Sequence, residues 1–272
     1  MSEPIKLVLS DMDGTLLMPD HSIGPRVRDA LAQLRAAGVQ FSLASARPPR
    51  AMRAQVLELG VDLPTAAFNG GTLVNPDGSY LVTHPIPVDA VRASLQLFAR
   101  HPVAVWVFAD DLWLLKDTHG DYTSVEQHAL GYGPTLVDDF TPYLDRVDKI
   151  VASSKDFDLL IELERTLAPL IKGHALGVRS QDYYLDVTAL LANKGDALAA
   201  LAEHVGVPLA QTAVIGDGAN DVAMFKRAGF SIAMGQASAS VREQACAVTD
   251  SNSQQGVARA IVEMILPRAA RD

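Results

Sequence analysis

The chain has 272 residues, 49% apolar and 20% charged, with a formal net charge of −9 and a single cysteine, Cys246. That composition describes a globular chain with enough apolar material for a sizeable core, in one large domain or two modest ones. The acidic balance argues against a nucleic-acid or anionic-membrane surface, the lone cysteine excludes an intramolecular disulfide and points to a reduced, cytoplasmic setting, and no apolar stretch is long enough to span a bilayer.

The first elements read strand, loop, helix, strand. Residues 5–10, "IKLVLS", form a short apolar run that stops at an Asp-rich turn. The start of the chain has an acid where a secretory leader carries bases, and it leads directly into this strand. Residues 24–38 are helical, with Val27, Ala30, Leu31, Leu34 and Ala37 at helical spacing and Gly38 as a stop. Residues 39–45, "VQFSLAS", are the next strand. Continuous apolar strands alternating with amphipathic helices imply a parallel sheet covered on both faces.

The middle of the chain reads differently. Residues 72–82 are two short runs around Asn-Pro-Asp-Gly, and residues 102–117 are two more, turning at Ala109-Asp110-Asp111, so each predicts a hairpin. Helical stretches at 88–101 and 155–170 and strand-like material at 174–188 complete an α+β pattern. Trp106 and Trp113 fall on the second hairpin and read as packing residues. The alternating rhythm then returns. Helices are predicted at 194–206, 221–229, 238–245 and 256–266, with strands at 212–217 and 230–235. The expected architecture is a doubly wound, Rossmann-like α/β core formed by residues 1–84 and 185–272. An α+β cap, residues 85–184, is inserted into it. Cys246, between two alanines, is expected to be a small buried residue.

Four strand ends of the core carry unusual polar residues, and in a parallel sheet ligands bind beyond the carboxyl ends of the strands. The first is "SDMDGTL", residues 10–16. Two carboxylates there, Asp11 and Asp13, either end a strand in an ordinary Asx-type turn or share a divalent cation, for which hard oxygen ligands suit magnesium. The second is "GDGAND", residues 216–221. Asp217 and Asp221 can meet the same cation and Asn220 can hydrogen-bond a ligand, although Asp221 also suits a helix first turn on dipole grounds alone. The third is "NKG", residues 193–195. Lys194 opens a helix, where a cation opposes the dipole unless an anion is present; otherwise it is an exposed lysine at a small cost. The fourth is "ASAR", residues 44–47, which offers the Ser45 hydroxyl as a donor to an anionic oxygen and Arg47 as a partner for a carboxylate or a phosphate.

Taken together and in this order, the four segments resemble the motifs of the haloacid dehalogenase (HAD) superfamily of phosphohydrolases. "DMDGTL" resembles the first motif, Ser45 the second, Lys194 the third and "GDGAND" the fourth. The position of the insertion, "FNGG" at residues 68–71, and "FSIAMGQA" followed by "VTDSNSQQGVA" resemble the Cof-like sugar-phosphatase branch, which has a type IIB (C2B) cap. Three details depart from that branch: Ala46 stands where glycine is usual, Gln236 where asparagine is usual, and the glycine often found shortly before Lys194 is missing.

The resemblance implies a Mg2+-dependent phosphatase acting on a small phosphorylated metabolite, a sugar phosphate or a phosphorylated cofactor. Asp11 is the implied nucleophile, forming an aspartyl-phosphate, and Asp13 the general acid and base. Asp11, Asp217 and the backbone carbonyl of Asp13 are the implied metal ligands. Ser45, Lys194 and Asn220 are implied to hold the phosphoryl oxygens. Asp221, Arg47, Asn69 and Gly70 are candidates for support of these groups or contact with substrate. The cap is implied to close over the site and select the leaving group, with His119, Asp121, Tyr122 and Tyr183 as candidate pocket residues. No nucleic-acid or membrane partner is expected, and the chain is expected to be a monomer or weak homodimer. The alternatives are a phosphomutase of the same superfamily and a non-catalytic, receiver-like phospho-acceptor; a haloalkanoate dehalogenase has no use for Asp13 and Asp217. A plain binder of phosphate esters would not need the full set of reactive residues.

Overall fold

The structure is a computed structural model and describes residues 3–269. It separates into two compact units. One takes the chain up to Ala46, then Ala54–Leu81 and everything from Asn193 onward; the other takes Arg47–Arg53 and Val82–Ala192.

In chain order, the first part runs β1 (Leu7–Asp11), α1 (Pro25–Ala36), β2 (Gln40–Ala44), α2 (Pro49–Leu59), β3 (Thr65–Ala67), β4 (Thr72–Val74) and β5 (Tyr80–Thr83). The inserted part runs α3 (Val88–Phe98), β6 (Ala104–Ala109), β7 (Leu112–Leu115), α4 (Thr123–Leu130), β8 (Thr135–Leu136), β9 (Val147–Ser153), α5 (Phe157–Leu170), β10 (Ala175–Gln181) and β11 (Tyr184–Ala189). The last part adds α6 (Lys194–His204), β12 (Thr212–Gly216), α7 (Val222–Phe225), β13 (Phe230–Ala233), α8 (Ala239–Arg242), β14 (Ala247–Val248) and α9 (Gly256–Arg259). Among the described residues no helix is long and apolar enough to cross a membrane.

The first unit is built on a sheet ordered β14-β13-β12-β1-β2-β3-β4-β5. β1 lies between β2 and β12 and is parallel to both. Every residue of β1 is buried, as expected of a strand covered on both faces. The chain leaves β1 in one direction toward β2 and β3 and returns on the other side as β12 and β13. The reversal puts a crevice at the carboxyl end of β1. α7 is shorter than the helix expected at 221–229, because the chain turns for β13 at Gly229, whose N–H donates to the Leu209 carbonyl (2.9 Å). The expectation that Cys246 is buried fails: it is exposed, just before the edge strand β14, with its sulfur 3.4 Å from the Ser231 hydroxyl.

The second unit is a six-stranded sheet ordered β10-β11-β9-β6-β7-β8, antiparallel except for the β7–β8 pair. Strand alternation sorts its faces. Val107, Leu114, Ile150, Ala152, Leu185 and Val187 pack with Phe98 of α3 and Leu160, Leu163 and Leu167 of α5 into one core. Trp106, Trp113 and Tyr184 fall at the other positions, and Trp106 meets Trp113 and Tyr184 edge-on at 5.5 and 5.0 Å between centroids. β6 and β7 join through Asp110 and Asp111, both at positive φ (54° and 58°), the conformation a two-residue hairpin loop needs and Asp tolerates. Tyr184, the residue at which the sequence places the end of the insertion, lies inside this ladder: β11 pairs with both β9 and β10, and the unit runs on to Ala192. Of the candidate pocket residues, Tyr122 stacks on Tyr183 at 4.3 Å, Asp121 pairs with Lys155 at 2.7 Å, and His119 lies 3.3 Å from Asp117.

The core of the second unit depends on close packing of α5 against its sheet. Leu163, 1% exposed, is one of the three α5 leucines in that core. Leu163→Ala is expected to cost roughly 2–5 kcal/mol of unfolding free energy, measured by urea denaturation, since the side chain leaves a cavity that packed neighbours fill only in part.

Candidate active site

The parallel register sets the positions of the strand ends. Asp11 lies beside Ala44, so the segments after β1 and β2 emerge side by side, and Ser10 lies beside Ile215, which does the same for the segment after β12. Beyond Asp11 the chain makes a tight turn. Asp13 has φ −76° and ψ 127°, and Gly14 has φ 76° and ψ −7°. These are the central dihedrals of a type II turn, whose third residue requires positive φ. A second reason excludes a side chain at Gly14: a Cβ there would stand 2.4 Å from Asp217 Oδ2. Thr15 then donates its hydroxyl to Asp217 Oδ1 (2.9 Å), tying the first loop to the loop after β12.

Asp217 stands between two glycines, and both have a steric reason. A Cβ on Gly216 would lie 2.4 Å from the Asp221 carboxyl carbon, and one on Gly218 would lie 2.4 Å from Asn220 Oδ1. The loop therefore folds its own polar side chains back over its backbone. Asp221, fully buried, accepts at Oδ2 from the N–H groups of Asp217 (2.8 Å) and Gly218 (2.9 Å).

Lys194 opens α6. Asn193 caps that helix by accepting from the Asp196 N–H (2.9 Å). The Lys194 side chain is fully buried, and its ammonium donates to Asp11 Oδ1 and to Asp221 Oδ1 (2.6 Å). The cation at a helix N-terminus is thus held by two carboxylates, which outweigh the dipole. Burial pulls the Lys194 ammonium toward neutrality, but Asp11 and Asp221 overcome this and hold its proton more tightly than usual. Burial pushes the Asp11 carboxyl well above the usual carboxylate range; Lys194 opposes this, while Asp221 and Asp217 add to it. Burial likewise raises Asp217, against the Thr15 hydrogen bond and with the help of Asp221.

Ser45 is buried at the end of β2. Its N–H donates to the Ala66 carbonyl and its own carbonyl accepts from the Asn69 N–H, both at 2.8 Å. Phe68 and Asn69 have φ of 50° and 58°, and Gly70 has φ 96°. This β3–β4 turn brings Asn69 Oδ1 within 2.9 Å of Asn220 Nδ2. A Cβ on Gly70 would meet Ala197 Cβ at 2.6 Å and the Asn193 carbonyl at 2.7 Å, so the glycine lets the turn seat against the start of α6. Asp13 is half-exposed, with its carboxylate 3.6 Å from His21 Nδ1. Arg47 belongs to the second unit, where its guanidinium donates to the Ala129 carbonyl (3.5 Å).

One carboxylate oxygen from each of Asp11, Asp217 and Asp221 lies within 4.8 Å of the others, a grouping able to hold a metal ion, and the Asp13 carboxylate is not part of it. Three carboxylates face one ammonium, so negative charge is left uncompensated. Lys194 and two backbone N–H groups already occupy both Asp221 oxygens. Asp11 and Asp217 are the oxygen donors left to a cation, and an all-oxygen set of this kind fits a hard divalent ion. Sequence reasoning missed Thr15, Asn193 and Asn252 as supports of the site. It marked Gln236 only as a departure from a pattern, yet Gln236 donates to the Gly14 carbonyl, and Asn252 donates to the Leu17 carbonyl (2.9 Å).

A family model described as haloacid dehalogenase-like hydrolase matches residues 8–261. An HMP-PP phosphatase of Cronobacter sakazakii is 32% identical over 228 residues, covering 84% of this chain and 83% of the relative. A haloacid dehalogenase-like hydrolase of known structure from Bacteroides thetaiotaomicron superposes with a TM-score of 0.87 at 27% identity, over 94% of this chain and 98% of that one. The structure of BT4131, described as a HAD subclass IIB sugar phosphatase, shares the fold with a TM-score of 0.83 at 21% identity, over 96% of this chain and 99% of that one.

Removing the buried ammonium tests how the site is held. Lys194→Met is expected to cost roughly 3–5 kcal/mol at neutral pH, because Asp11 and Asp221 are left buried without a counter-charge. The Asp11 proton affinity in the folded variant then stands further above its unfolded value. The folded state binds more protons, so the deficit shrinks as pH falls through the raised value. Denaturation of wild type and variant at neutral and mildly acidic pH checks both the size and the sign.

Proposed function

The chain belongs to the haloacid dehalogenase-like hydrolase family, and we propose that it is a Mg2+-dependent phosphatase that cleaves a small phosphorylated metabolite through an aspartyl-phosphate on Asp11. The observation that carries this reading is the convergence of Asp11, Asp217 and Asp221 around one buried ammonium. A phosphoryl group is the natural guest for such a site once a cation offsets its surplus negative charge. The relatives named as phosphatases support the same chemistry.

Asp11 attacks phosphorus, and Lys194 fixes the carboxylate's orientation. Asp13, on the turn that begins after Asp11, delivers a proton to the leaving oxygen and then takes one from the attacking water. The two transfers return Asp13 to its starting protonation state, so the cycle closes on this one carboxyl, which lies beside His21. Ser45 and Asn220 donate to the phosphoryl oxygens as charge redistributes on them, and Lys194 adds its field. Asn69 orients the Asn220 amide. Asp221 keeps the loop after β12 and Lys194 in register rather than reacting itself. Asp11, Asp217 and the Asp13 carbonyl would hold Mg2+, which would supply positive charge to offset the repulsion between the nucleophile and the phosphoryl group.

The substrate class follows from releasing inorganic phosphate from a panel of phosphorylated metabolites with Mg2+ and no bisphosphate activator. Ranking kcat/KM across the panel identifies the preferred substrate. Asp11→Asn is expected to abolish turnover and acyl-phosphate trapping alike; full activity in that variant would overturn the mechanism. Mg2+ at about 100 times its Kd is expected to stabilise the wild type by about 2.7 kcal/mol, read as a rise in Tm, and Asp217→Asn to lose most of that gain. Because Asp11 and Asp217 hold protons more tightly than ordinary carboxylates, protons compete with the cation, and the apparent Mg2+ affinity is expected to weaken as pH falls.

A further inference from the structure

We propose that Gln236 is a positioning residue for Asp13, acting through the backbone of the turn that carries it; the inference rests on the acid–base role proposed for Asp13. Gln236 follows β13 and is itself exposed. Its side-chain amide spans two segments. Nε2 donates to the Gly14 carbonyl, and Oε1 accepts from the Asn252 N–H (3.1 Å). Asn252 in turn donates from Nδ2 to the Leu17 carbonyl (2.9 Å). The turn from Asp11 to Leu17 is therefore held by two amide side chains, and the first also bonds to the backbone of the residue that carries the second.

The turn needs such ties. Gly14 adopts many conformations at little cost, so the glycine that permits this turn does not by itself enforce it. Rotation of the peptide plane between Asp13 and Gly14 separates the type II turn from its alternatives and turns over the Asp13 carbonyl, and a shift of the turn as a whole moves the carboxyl it carries. Thr15 anchors one side to Asp217. Gln236 anchors the carbonyl of Gly14, one peptide plane beyond Asp13. The strand end that carries Gln236 is itself well fixed. The Met234 N–H donates to the Gly216 carbonyl (2.9 Å) and the Gly235 N–H to the Asp250 carbonyl (3.1 Å). A Cβ on Gly235 would stand 2.9 Å from the Thr249 carbonyl, so the backbone before Gln236 packs directly on the segment leading to Asn252. Gln236 thus transmits the position of β13 and its following loop to the turn at Asp13.

A displaced general acid has a kinetic signature that a merely weakened fold lacks. An alkyl phosphate needs its leaving oxygen protonated, whereas p-nitrophenyl phosphate leaves without that help. Gln236→Ala is expected to lower kcat on an alkyl phosphate by about tenfold or more, out of the hundredfold or greater effect typical of a general acid. The loss on p-nitrophenyl phosphate is expected to be at most about threefold, with KM little changed on either ester. Gln236→Glu keeps the acceptor for the Asn252 N–H but sets an oxygen against the Gly14 carbonyl, and is expected to be at least as impaired on the alkyl ester. In an Asp13→Asn background, adding Gln236→Ala is expected to cost nothing further on the alkyl ester. Equal losses on the two esters, no loss on either, or additive losses with Asp13→Asn overturn the assignment. Amide hydrogen exchange reads the turn without activity. The Leu17 N–H, which donates to the Met12 carbonyl (2.9 Å), is expected to exchange faster in Gln236→Ala, while β1 and β12 stay as protected as in wild type. If the wild type cleaves no phosphate ester, the phosphatase reading fails. Exchange then decides the structural half alone: faster exchange at Leu17 supports the tie, and unchanged exchange overturns it.

Discussion

The ammonium of Lys194, buried between Asp11 and Asp221, is the constraint on which the rest of the site depends. A cation removed from water needs anions at hydrogen-bond distance, and buried carboxylates need a cation in return. The three residues come from β1, the start of α6 and the loop after β12, so this one interaction ties together segments nearly two hundred residues apart in sequence. It also leaves the balance unequal. Asp217 joins the two carboxylates, and one ammonium cannot neutralise three. Burial raises the proton affinities of Asp11 and Asp217, and that same imbalance adds to the rise and favours a cation.

Charges can approach this closely because the backbone around them carries so few side chains. Gly14 makes room for the Asp217 carboxylate, Gly216 for that of Asp221, and Gly70 for the start of α6. Each glycine replaces a Cβ by a functional group or a neighbouring backbone. Hydrogen bonds then restore the order that glycine removes: Thr15 to Asp217, Asp221 to two backbone N–H groups, Asn193 to the first turn of α6. The fold supplies the coarse placement through parallel strand register, and these local bonds supply the fine one.

Much of this was legible in the chain. Apolar runs alternating with helices, as at 5–10, 24–38 and 39–45, predict the parallel sheet, and its carboxyl ends predict where Asp11, Ser45 and Asp217 emerge. The mismatch of Lys194 with its helix dipole signalled an anionic partner, and the structure provides two in the protein itself. That pairing was out of reach, because nothing local says which carboxylates a lysine will meet across 183 positions. The β3–β4 turn was hidden for another reason. Asn69-Gly70 is an ordinary turn signal, but the strands it joins are only three residues each and Phe68 takes a positive φ that propensity does not assign to it, so "FNGG" is hard to read as a hairpin. Cys246 misled because its alanine neighbours read as a core, whereas a sheet edge with a two-residue strand leaves it in solvent. Gln236 and Asn252 were opaque because their contacts are long-range bonds to backbone carbonyls, which any polar residue can make and no spacing encodes.

The chain carries a net charge of −9, and on the proposed reading it must nevertheless gather a phosphate ester. General electrostatic attraction cannot do this, since an acidic surface repels the substrate at long range. Nor does Lys194 offer a free positive charge, since its ammonium is already engaged by two carboxylates. Local donors are the remaining source of affinity: the Ser45 hydroxyl, the Asn220 amide held by Asn69, and a cation held by Asp11 and Asp217. Of these only a divalent cation cancels the surplus negative charge that three carboxylates and one ammonium leave. On the proposed reading affinity for phosphate is therefore conditional on the metal, and the buried ion pair's main contribution is to orient Asp11 and to oppose the rise that burial gives its proton affinity.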